Sequence, residues 1–503
     1  IPGVGKAISG AIREIVETGS MPQLDTRLSQ TKPELVELTT KPRLDPRKVS
    51  RIYKKLGIGS LQELQRRLES GQVQEIFGAR TAFHIRQGLD ERPRMLLESA
   101  EALADRIESF LKSLPEVSRV IRVGSLRRKQ ETVGDLNFLV ATENAPAVYR
   151  RFRKFGGVSK SAGAAGAFVL SSGIGVTLEC TLPEHWGLAA ILHTGSEKHI
   201  ADLQTHAARK KLALTVPSLE RNRGNLTEEE AVYRRLGLGY IEPELREGRG
   251  EVAAAAKGTL PELITLEHLC GDLHMHTTAS DGTASIVEMA KAAKARGYEY
   301  IAITDHSQSL KITNGLSEKR LLAHIKQIDA INARLKEITI LKSAEVDILE
   351  DGSLDYSNAM LKELDFTICS IHSRFGLNGR QQTDRIRRAM DNPYFNILGH
   401  ATGRLLLKRE GYEVDMERLF KHARANGCHF EINSSPDRLD LSDENALRAK
   451  EFGIRIAINT DAHRIAELDF ISAGINQARR AWLEPRHVLN TLPLAKLKKA
   501  LRR

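Results

Sequence analysis

From Gly271 onward the chain alternates short apolar segments with helical stretches, and nearly every apolar segment ends on a residue that can hold a metal ion. Ala302-Ile303-Thr304, Phe366-Thr367-Ile368, Asn396-Ile397-Leu398, Phe430-Glu431-Ile432 and Ile456-Ala457-Ile458 have the length and residue types of buried strands. Five such strands separated by helices predict a parallel α/β sheet or barrel. In that architecture a site gathers at the carboxyl ends of the strands. His274-Met275-His276 places two imidazoles two apart, on one face of a strand. Asp281 follows in a Ser280-Asp281-Gly282 turn. His306, Glu345, His372 and His400 each follow a strand, and Asp461 and His463 follow the last. These residues predict one crowded, polynuclear pocket whose imidazole and carboxylate donors suit zinc, manganese or iron.

Composition bounds the rest. At about 100–200 residues per domain, 503 residues imply three to five structural units. A hydrophobic share of 41% with 28% charged residues is globular and excludes a disordered chain. No apolar run reaches the roughly 18 residues of a membrane span. Cys180, Cys270, Cys369 and Cys428 are scattered without a CxxC, which excludes a disulfide framework or thiolate zinc site and makes a reducing cytoplasm the expected compartment. The start, Ile1-Pro2-Gly3-Val4-Gly5, reads as the middle of a motif, so further residues are expected upstream. Residues 1–250 hold 39 Lys+Arg against 30 Asp+Glu, and residues 251–503 hold 36 against 34. Eleven of the 16 histidines lie in the second half. The first half therefore reads as a polyanion binder and the second as a metal centre.

Residues 1–93 read as mostly helical, and 94–113 as an amphipathic helix. Val117–Val123, Leu136–Val140, Phe168–Leu170 and Val176–Cys180 read as strands. Residues 187–240 return to helix and loop. The Pro-, Gly- and Ala-rich stretch 243–261 predicts a linker.

The motifs Gly271-Asp272-Leu273-His274-Met275-His276-Thr277, Ile303-Thr304-Asp305-His306-Ser307, Ser370-Ile371-His372-Ser373, Gly399-His400 and Thr460-Asp461-Ala462-His463 resemble the polymerase and histidinol phosphatase (PHP) domain. The resemblance implies a distorted seven-stranded, TIM-like α/β barrel with two or three divalent ions, zinc or manganese. One ion would take His274, His276, Glu345 and Asp461. A second would share Glu345 and add His372 and His400. A third would take Asp281, His306 and His463. Such a site hydrolyses phosphoesters, with Glu345 and Asp461 central to it. Arg374 and Arg404, one and four residues past two of these positions, are candidates to clamp a phosphate.

In the basic half, Pro2-Gly3-Val4-Gly5 before a helix reads as the heart of a helix-hairpin-helix, where Gly3, Gly5 and Lys6 would meet DNA phosphate. The run Gly124-Ser125-Leu126-Arg127-Arg128-Lys129-Gln130-Glu131-Thr132-Val133-Gly134-Asp135-Leu136-Asn137 resembles the nucleotidyltransferase motif of family X DNA polymerases. The resemblance implies that Gly124, Ser125, Arg127, Arg128 and Gly134 hold a nucleotide triphosphate, with Thr194 and Gly195 on the sugar side. Asp135 would bind Mg²⁺ or Mn²⁺. This sequence departs from that pattern where the metal carboxylates should continue: Asn137 and Thr177 stand in their places, although Glu179 shares the face of Thr177 two residues on. Leu192-His193 and Ile200 depart on the nucleotide side, Ala11 replaces a lyase lysine, and Arg43 and Asp45 replace hairpin glycines.

The resemblance divides the chain into a helix-hairpin-helix remnant over 1–30, helical fingers over 31–93, a nucleotidyltransferase palm over 94–182, a thumb over 183–248, a linker over 249–269 and the PHP domain over 270–503. It implies a bacterial, cytoplasmic, nucleoid-associated DNA-repair enzyme without a membrane partner. Its PHP half would act as a 3′–5′ exonuclease, with abasic-site cleavage as a second candidate activity, on gapped, nicked or 3′-ended DNA, and its polymerase activity would be weak. The rival readings are an active gap-filling polymerase with a proofreading PHP site, a non-catalytic DNA-binding scaffold, and a small-molecule phosphatase.

Overall fold

The computed structural model describes residues 46–78, 94–161, 163–219 and 226–501, together with single positions between 35 and 44 and between 82 and 89. The helix-hairpin-helix positions Gly3, Gly5 and Lys6, with Ala11, Arg43 and Asp45, lie outside the described residues. Two compact units divide the chain. One comprises the N-terminal part up to Arg94 with residues 157–160 and 169–175, and the other the remainder.

In the first unit, α1 (Pro46–Leu56), α2 (Leu61–Glu69) and α3 (Gln72–Phe77) follow one another closely. Apolar residues at helical spacing, Val49 and Ile52 on α1 and Leu64 and Leu68 on α2, close one core with Ile58 and Val73. Gly57 at φ 67 ends α1. The Ser60 side chain accepts the Glu63 amide at 3.2 Å and so starts α2.

The second unit begins with α4 (Leu97–Lys112), which packs on β1 (Arg119–Val123). β1 pairs antiparallel with β2 (Asp135–Ala141), Arg119 opposite Ala141 and Val123 opposite Asn137. β3 (Gly175–Thr181) lies on the other side of β2. Helices α5 (Trp186–Thr194), α6 (Glu197–Arg209), α7 (Glu229–Arg235) and α8 (Glu251–Lys257) follow. The expected linker is structured instead. Val252 and Ala255, three apart on α8, bury into the same cluster as Leu188, Ile191, Leu203 and Tyr233. Glu251 is fully buried, 2.6 Å from His199 Nδ1, and also accepts the amides of Gly248 and Arg249. An alanine-rich run reads as a spacer by composition, but small side chains also let a helix sit close against its neighbours.

The C-terminal part carries eight short parallel strands among the described residues. β4 (Gly271–Asp272), β5 (Tyr300–Ile303) and β6 (Thr339–Lys342) form a sheet of three in the order β6-β5-β4. β7 (Glu345–Asp347), β8 (Ile368–Ser370), β9 (Ile397–Leu398), β10 (His429–Asn433) and β11 (Ile456–Asn459) form a sheet of five in sequence order. β6 and β7 are separated by only Ser343 and Ala344, which breaks one strand run into two pieces. Single bridges, His306 to Glu345 and Met275 to Ala462, join the two sheets. Each of the five apolar segments read from the sequence overlaps one of these strands. β5 and β11 are buried along their whole length, as expected of parallel strands covered on both faces. The intervening helices include α9 (Ile286–Ala295), started by a reciprocal Ser285–Glu288 capping box, α10 (Glu318–Arg334), α11 (Gly379–Met390), α12 (Met416–Asn426), α13 (Asp443–Glu451) and α14 (Ile471–Arg480).

Candidate metal centre

The carboxyl ends of the parallel strands converge, and the nine ligand-type residues meet there. Glu345, which opens β7, stands at the centre. Its Oε1 lies 2.8 Å from His400 Nε2 and 3.3 Å from His372 Nε2. Its Oε2 lies 2.8 Å from His306 Nδ1 and 3.6 Å from Nε2 of both His274 and His276. Asp461 Oδ1 lies 3.0 Å from His276 Nε2 and 3.4 Å from His274 Nε2. On the other flank Asp281 lies 3.4 Å from His463 Nε2 and 3.5 Å from His306 Nε2. Three groups are compact enough to hold an ion: His274, His276 and Asp461; His306, Glu345 and His372; and His276, Asp281, His306 and His463. The grouping expected from sequence differs in detail, because His276 and His306 each face two groups and His400 joins only through Glu345.

The backbone is strained where it delivers two of these side chains. His400 has φ 25 and Asp461 φ 56, conformations that residues other than glycine rarely adopt. Both are held by hydrogen bonds: His400 N donates to Glu431 Oε2 at 2.9 Å and Asp461 N to His274 O at 2.9 Å.

Burial opposes charge on Glu345, yet the surrounding His372, His306 and His274 hold its carboxyl well below the usual range. Asp461 is depressed in the same way, chiefly by His274 once burial is overcome. Conversely, burial opposes protonation of the imidazoles, but Glu345 and Asp281 outweigh it and raise His306 to about 10. His372 and His463 rise to about 9. His276 goes the other way, to about 4, because burial is reinforced by the neighbouring His463 and His306. Carboxylates and imidazoles packed at such close range form a donor set suited to divalent cations. His274 Nε2 and His276 Nδ1 are buried without any hydrogen-bond partner. Buried polar atoms are seldom left unpaired, so the donors present fit divalent cations.

An outer ring of partners was not read from the sequence. Glu431, fully buried in the middle of β10, lies 2.7 Å from His274 Nδ1 and accepts Asn459 Nδ2 at 2.9 Å. It therefore fixes the His274 ring with Nε2 toward the centre. Asp347 does the same for His372, at 2.8 Å from Nδ1. Asp305 accepts from the amides and hydroxyls of Thr277 and Ser280, with His324 Nε2 3.1 Å away, and so shapes the turn that presents Asp281. The available signal was a charged residue inside an otherwise apolar strand, as in Phe430-Glu431-Ile432.

The two candidate phosphate clamps are placed differently from expectation. Arg374 is largely exposed and pairs with Glu350 at 2.9 Å. Arg404 turns away from the centre. It forks onto Glu131 of the palm, Nη1 to Oε1 at 3.1 Å and Nη2 to Oε2 at 2.6 Å, and donates to Arg438 O at 3.0 Å. It is a domain-joining residue, and its assignment as a clamp is corrected.

The palm loop is likewise committed. Gly124 needs its φ of 64, and a Cβ there would stand 3.2 Å from Asn137 Nδ2. Ser125 and Arg127 share the single turn Gly124–Arg127, and Gly134 precedes β2. Arg127 forks onto Glu229 at 3.0 and 2.5 Å and donates to Thr194 Oγ1 at 2.9 Å. Arg128 donates to Glu247 at 2.9 Å and to Thr194 O at 2.7 Å. Both guanidiniums, expected to hold a triphosphate, are paired with carboxylates in this structure. Thr194 is fully buried, and Gly195 ends α5 where a Cβ would meet His199 at 2.6 Å. Asp135 is exposed at the start of β2, and Asn137, Thr177 and Glu179 are half-buried on β2 and its neighbour β3.

Residues 272–435 match the PHP domain, and residues 189–247 match the DNA polymerase beta thumb. A PHP domain joined to a polymerase-beta-type thumb defines the class, a family X DNA polymerase with a phosphoesterase half. The DNA polymerase/3′-5′ exonuclease PolX of Bacillus subtilis is 36% identical over 519 residues, covering 100% of this chain and 90% of that protein. The chain belongs to the PolX family. A probable phosphatase of Thermoanaerobacter sp. (strain X514) is 30% identical over 46% of this chain and 94% of its own length. One from Acetivibrio thermocellus is 31% identical over 38% and 78%. No described helix is long and apolar enough to cross a membrane.

Proposed function

We propose that the chain is a metal-dependent phosphodiesterase that removes nucleotides from DNA 3′ ends, in DNA repair in the bacterial cytoplasm, and that its palm and thumb serve chiefly to bind and place gapped or nicked DNA. The observation that carries this is the convergence of His274, His276, Asp281, His306, Glu345, His372, His400, Asp461 and His463 around buried, unpartnered donor atoms. With β6 and β7 counted as one interrupted strand, we read the eight strands as the seven-stranded barrel of the PHP domain.

Bound zinc or manganese ions would supply an activated water and neutralise phosphoryl charge. The chain's own part is to hold the ions' ligands. Glu345 offers two oxygens to opposite flanks, Asp461 and Asp281 cap the two ends, and Glu431 and Asp347 orient the rings of His274 and His372. The domain divisions read from the sequence are kept, with residues 249–269 assigned to the thumb's packing rather than to a free tether.

The test is hydrolysis of a 3′-ended, gapped duplex with Mn²⁺. The full chain should release nucleoside monophosphates, and Glu345→Ala or Asp461→Ala should abolish release with DNA affinity little changed. Normal rates in either variant would place the chemistry elsewhere. A second reading, a working gap-filling polymerase, is favoured by Glu179, which shares the face of Thr177 on the strand beside Asp135.

A further inference from the structure

With Arg404 committed to Glu131, a centre built for a polyanionic strand has no cation from the expected pair facing it. The structure offers another. Arg438 lies in the loop after β10, and its Nε stands 3.8 Å from Asp461 Oδ2. Its side chain is 22% exposed, and among the described residues its guanidinium donates no hydrogen bond. Arginines with a structural task in this domain look different. Arg385 donates to Leu349 O at 2.8 Å and to Ser373 O at 3.0 Å, and Arg480 to Glu247 at 2.8 Å and Asp443 at 2.7 Å. Nor does Asp461 need Arg438 as a support, since its Oδ2 accepts Asn433 Nδ2 at 2.9 Å. A guanidinium with its full fork of donors unspent, at the edge of a metal centre, matches the geometry of a phosphate.

A second cation stands with it. Arg409 lies over the Phe375 ring at 4.5 Å and donates to Gly403 O at 2.8 Å, with no carboxylate in ion-pair range among the described residues. The loops carrying the two arginines are stitched together: Leu406 N donates to Asp437 O at 2.6 Å, Lys408 Nζ to Asp437 Oδ2 at 3.0 Å, and Arg404 Nε to Arg438 O. The nearby carboxylate of Asp437 is engaged by Lys408 and by the Ser435 hydroxyl, and also feels the charge of Arg438. Burial and then repulsion from Arg438 lower the proton affinity of Arg409, as expected of two cations close to one another.

We propose that Arg438, supported by Arg409, forms a phosphate seat at the rim of the metal centre, holding a phosphodiester of the bound strand and the 5′-phosphate of the released nucleotide. This rests on the nuclease reading above. The test uses the full chain loaded with Mn²⁺, comparing Arg438→Ala and Arg438→Lys with wild type on a 3′-ended oligonucleotide. Charge-assisted hydrogen bonds of this kind predict a KM raised about tenfold to a hundredfold in Arg438→Ala, less in Arg438→Lys. The inhibition constant of thymidine 5′-monophosphate should rise in parallel, Mn²⁺ stoichiometry and affinity should hold, and added guanidinium ion should restore part of the loss. Arg409→Ala should show a smaller rise in KM. Unchanged KM and product inhibition in Arg438→Ala would overturn the proposal. So would a loss of Mn²⁺ affinity in step with activity, which would make Arg438 a support for Asp461. If the wild-type chain hydrolysed no DNA, the nuclease reading would fail instead. Equilibrium binding of thymidine 5′-monophosphate to the loaded wild type and Arg438→Ala would then still decide the seat.

Discussion

Glu431→Gln isolates the contribution of a residue that touches no substrate. In the wild type one carboxylate oxygen accepts from His274 Nδ1 at 2.7 Å and Asn459 Nδ2 at 2.9 Å, and the other accepts the His400 amide at 2.9 Å. Glutamine keeps the shape but has one acceptor and one donor group. If its oxygen faces His274, its NH₂ meets the His400 N–H. If it flips, its NH₂ meets His274 and Asn459. Either way a buried donor loses its partner, at about 1–3 kcal/mol of stability. The first arrangement also loosens His400, whose φ of 25 leaves little slack. Losing the carboxylate behind a ligating imidazole typically weakens metal binding 10–100-fold, or about 1.4–2.7 kcal/mol. Chelator competition with Zn²⁺ or Mn²⁺ would read the second effect, and denaturant unfolding of chelated protein the first. The visible absorption of the Co²⁺-loaded protein would report whether the His274 geometry has moved. Asn459→Ala, which removes one donor but leaves the carboxylate, should keep metal affinity near wild type. Wild-type affinity and an unchanged Co²⁺ spectrum in Glu431→Gln would refute the claim that Glu431 orients His274.

Metal uptake should release protons, since metal-free His306, His372 and His463 are raised to about 10, 9 and 9 and hold protons at neutral pH. Those protonated rings stabilise the metal-free fold below about pH 6.5 and lose that contribution as pH rises through 9–10. Metal affinity runs oppositely, rising toward pH 9, and a pH-independent affinity by calorimetry would contradict the assignment. Arg404→Ala should lower the unfolding free energy by about 1–3 kcal/mol, discounted for the partial exposure of the Glu131 pair, and an unchanged denaturation midpoint would show the fork to be idle. Nucleotide incorporation by the unmodified chain should be weak, and Asn137→Asp with Thr177→Asp should raise it. Robust gap filling abolished by Asp135→Ala would instead promote the polymerase reading.

The metal centre was legible because strand alternation and strand-end position are local signals. His274-Met275-His276 and Asp461-Ala462-His463 announce themselves within three residues, and parallel topology then gathers them. Glu431 was not legible, although Phe430-Glu431-Ile432 was read as a strand, because its partner His274 is 157 residues away. Arg404 misled for the same reason. Four residues past His400 suggests proximity to the centre, but the side chain answers to Glu131, 273 residues earlier. The 243–261 stretch misled through composition: what decides between spacer and packed helix is whether a neighbouring surface has room, which Val252, Ala255 and Glu251 settle only in three dimensions.

The loop from Gly124 to Glu131 is held by a dense set of ion pairs. Arg128 shares Glu247 with Arg480 of α14 and with Gln130 at 2.6 Å, and Arg480 also donates to Arg128 O at 2.7 Å. Glu131 is gripped by Arg404, and Arg127 by Glu229, which Arg246 holds from its other side at 2.6 Å. A triphosphate arriving at Arg127 or Arg128 therefore exchanges one anion for another rather than filling an empty cation, so little electrostatic free energy is left to gain. The same salt bridges bind the loop to the PHP half through Arg404 and Arg480. The loop thus acts as a joint between the palm and the metal centre, and substitutions in it should be read first through the stability of that joint and only then through nucleotide chemistry.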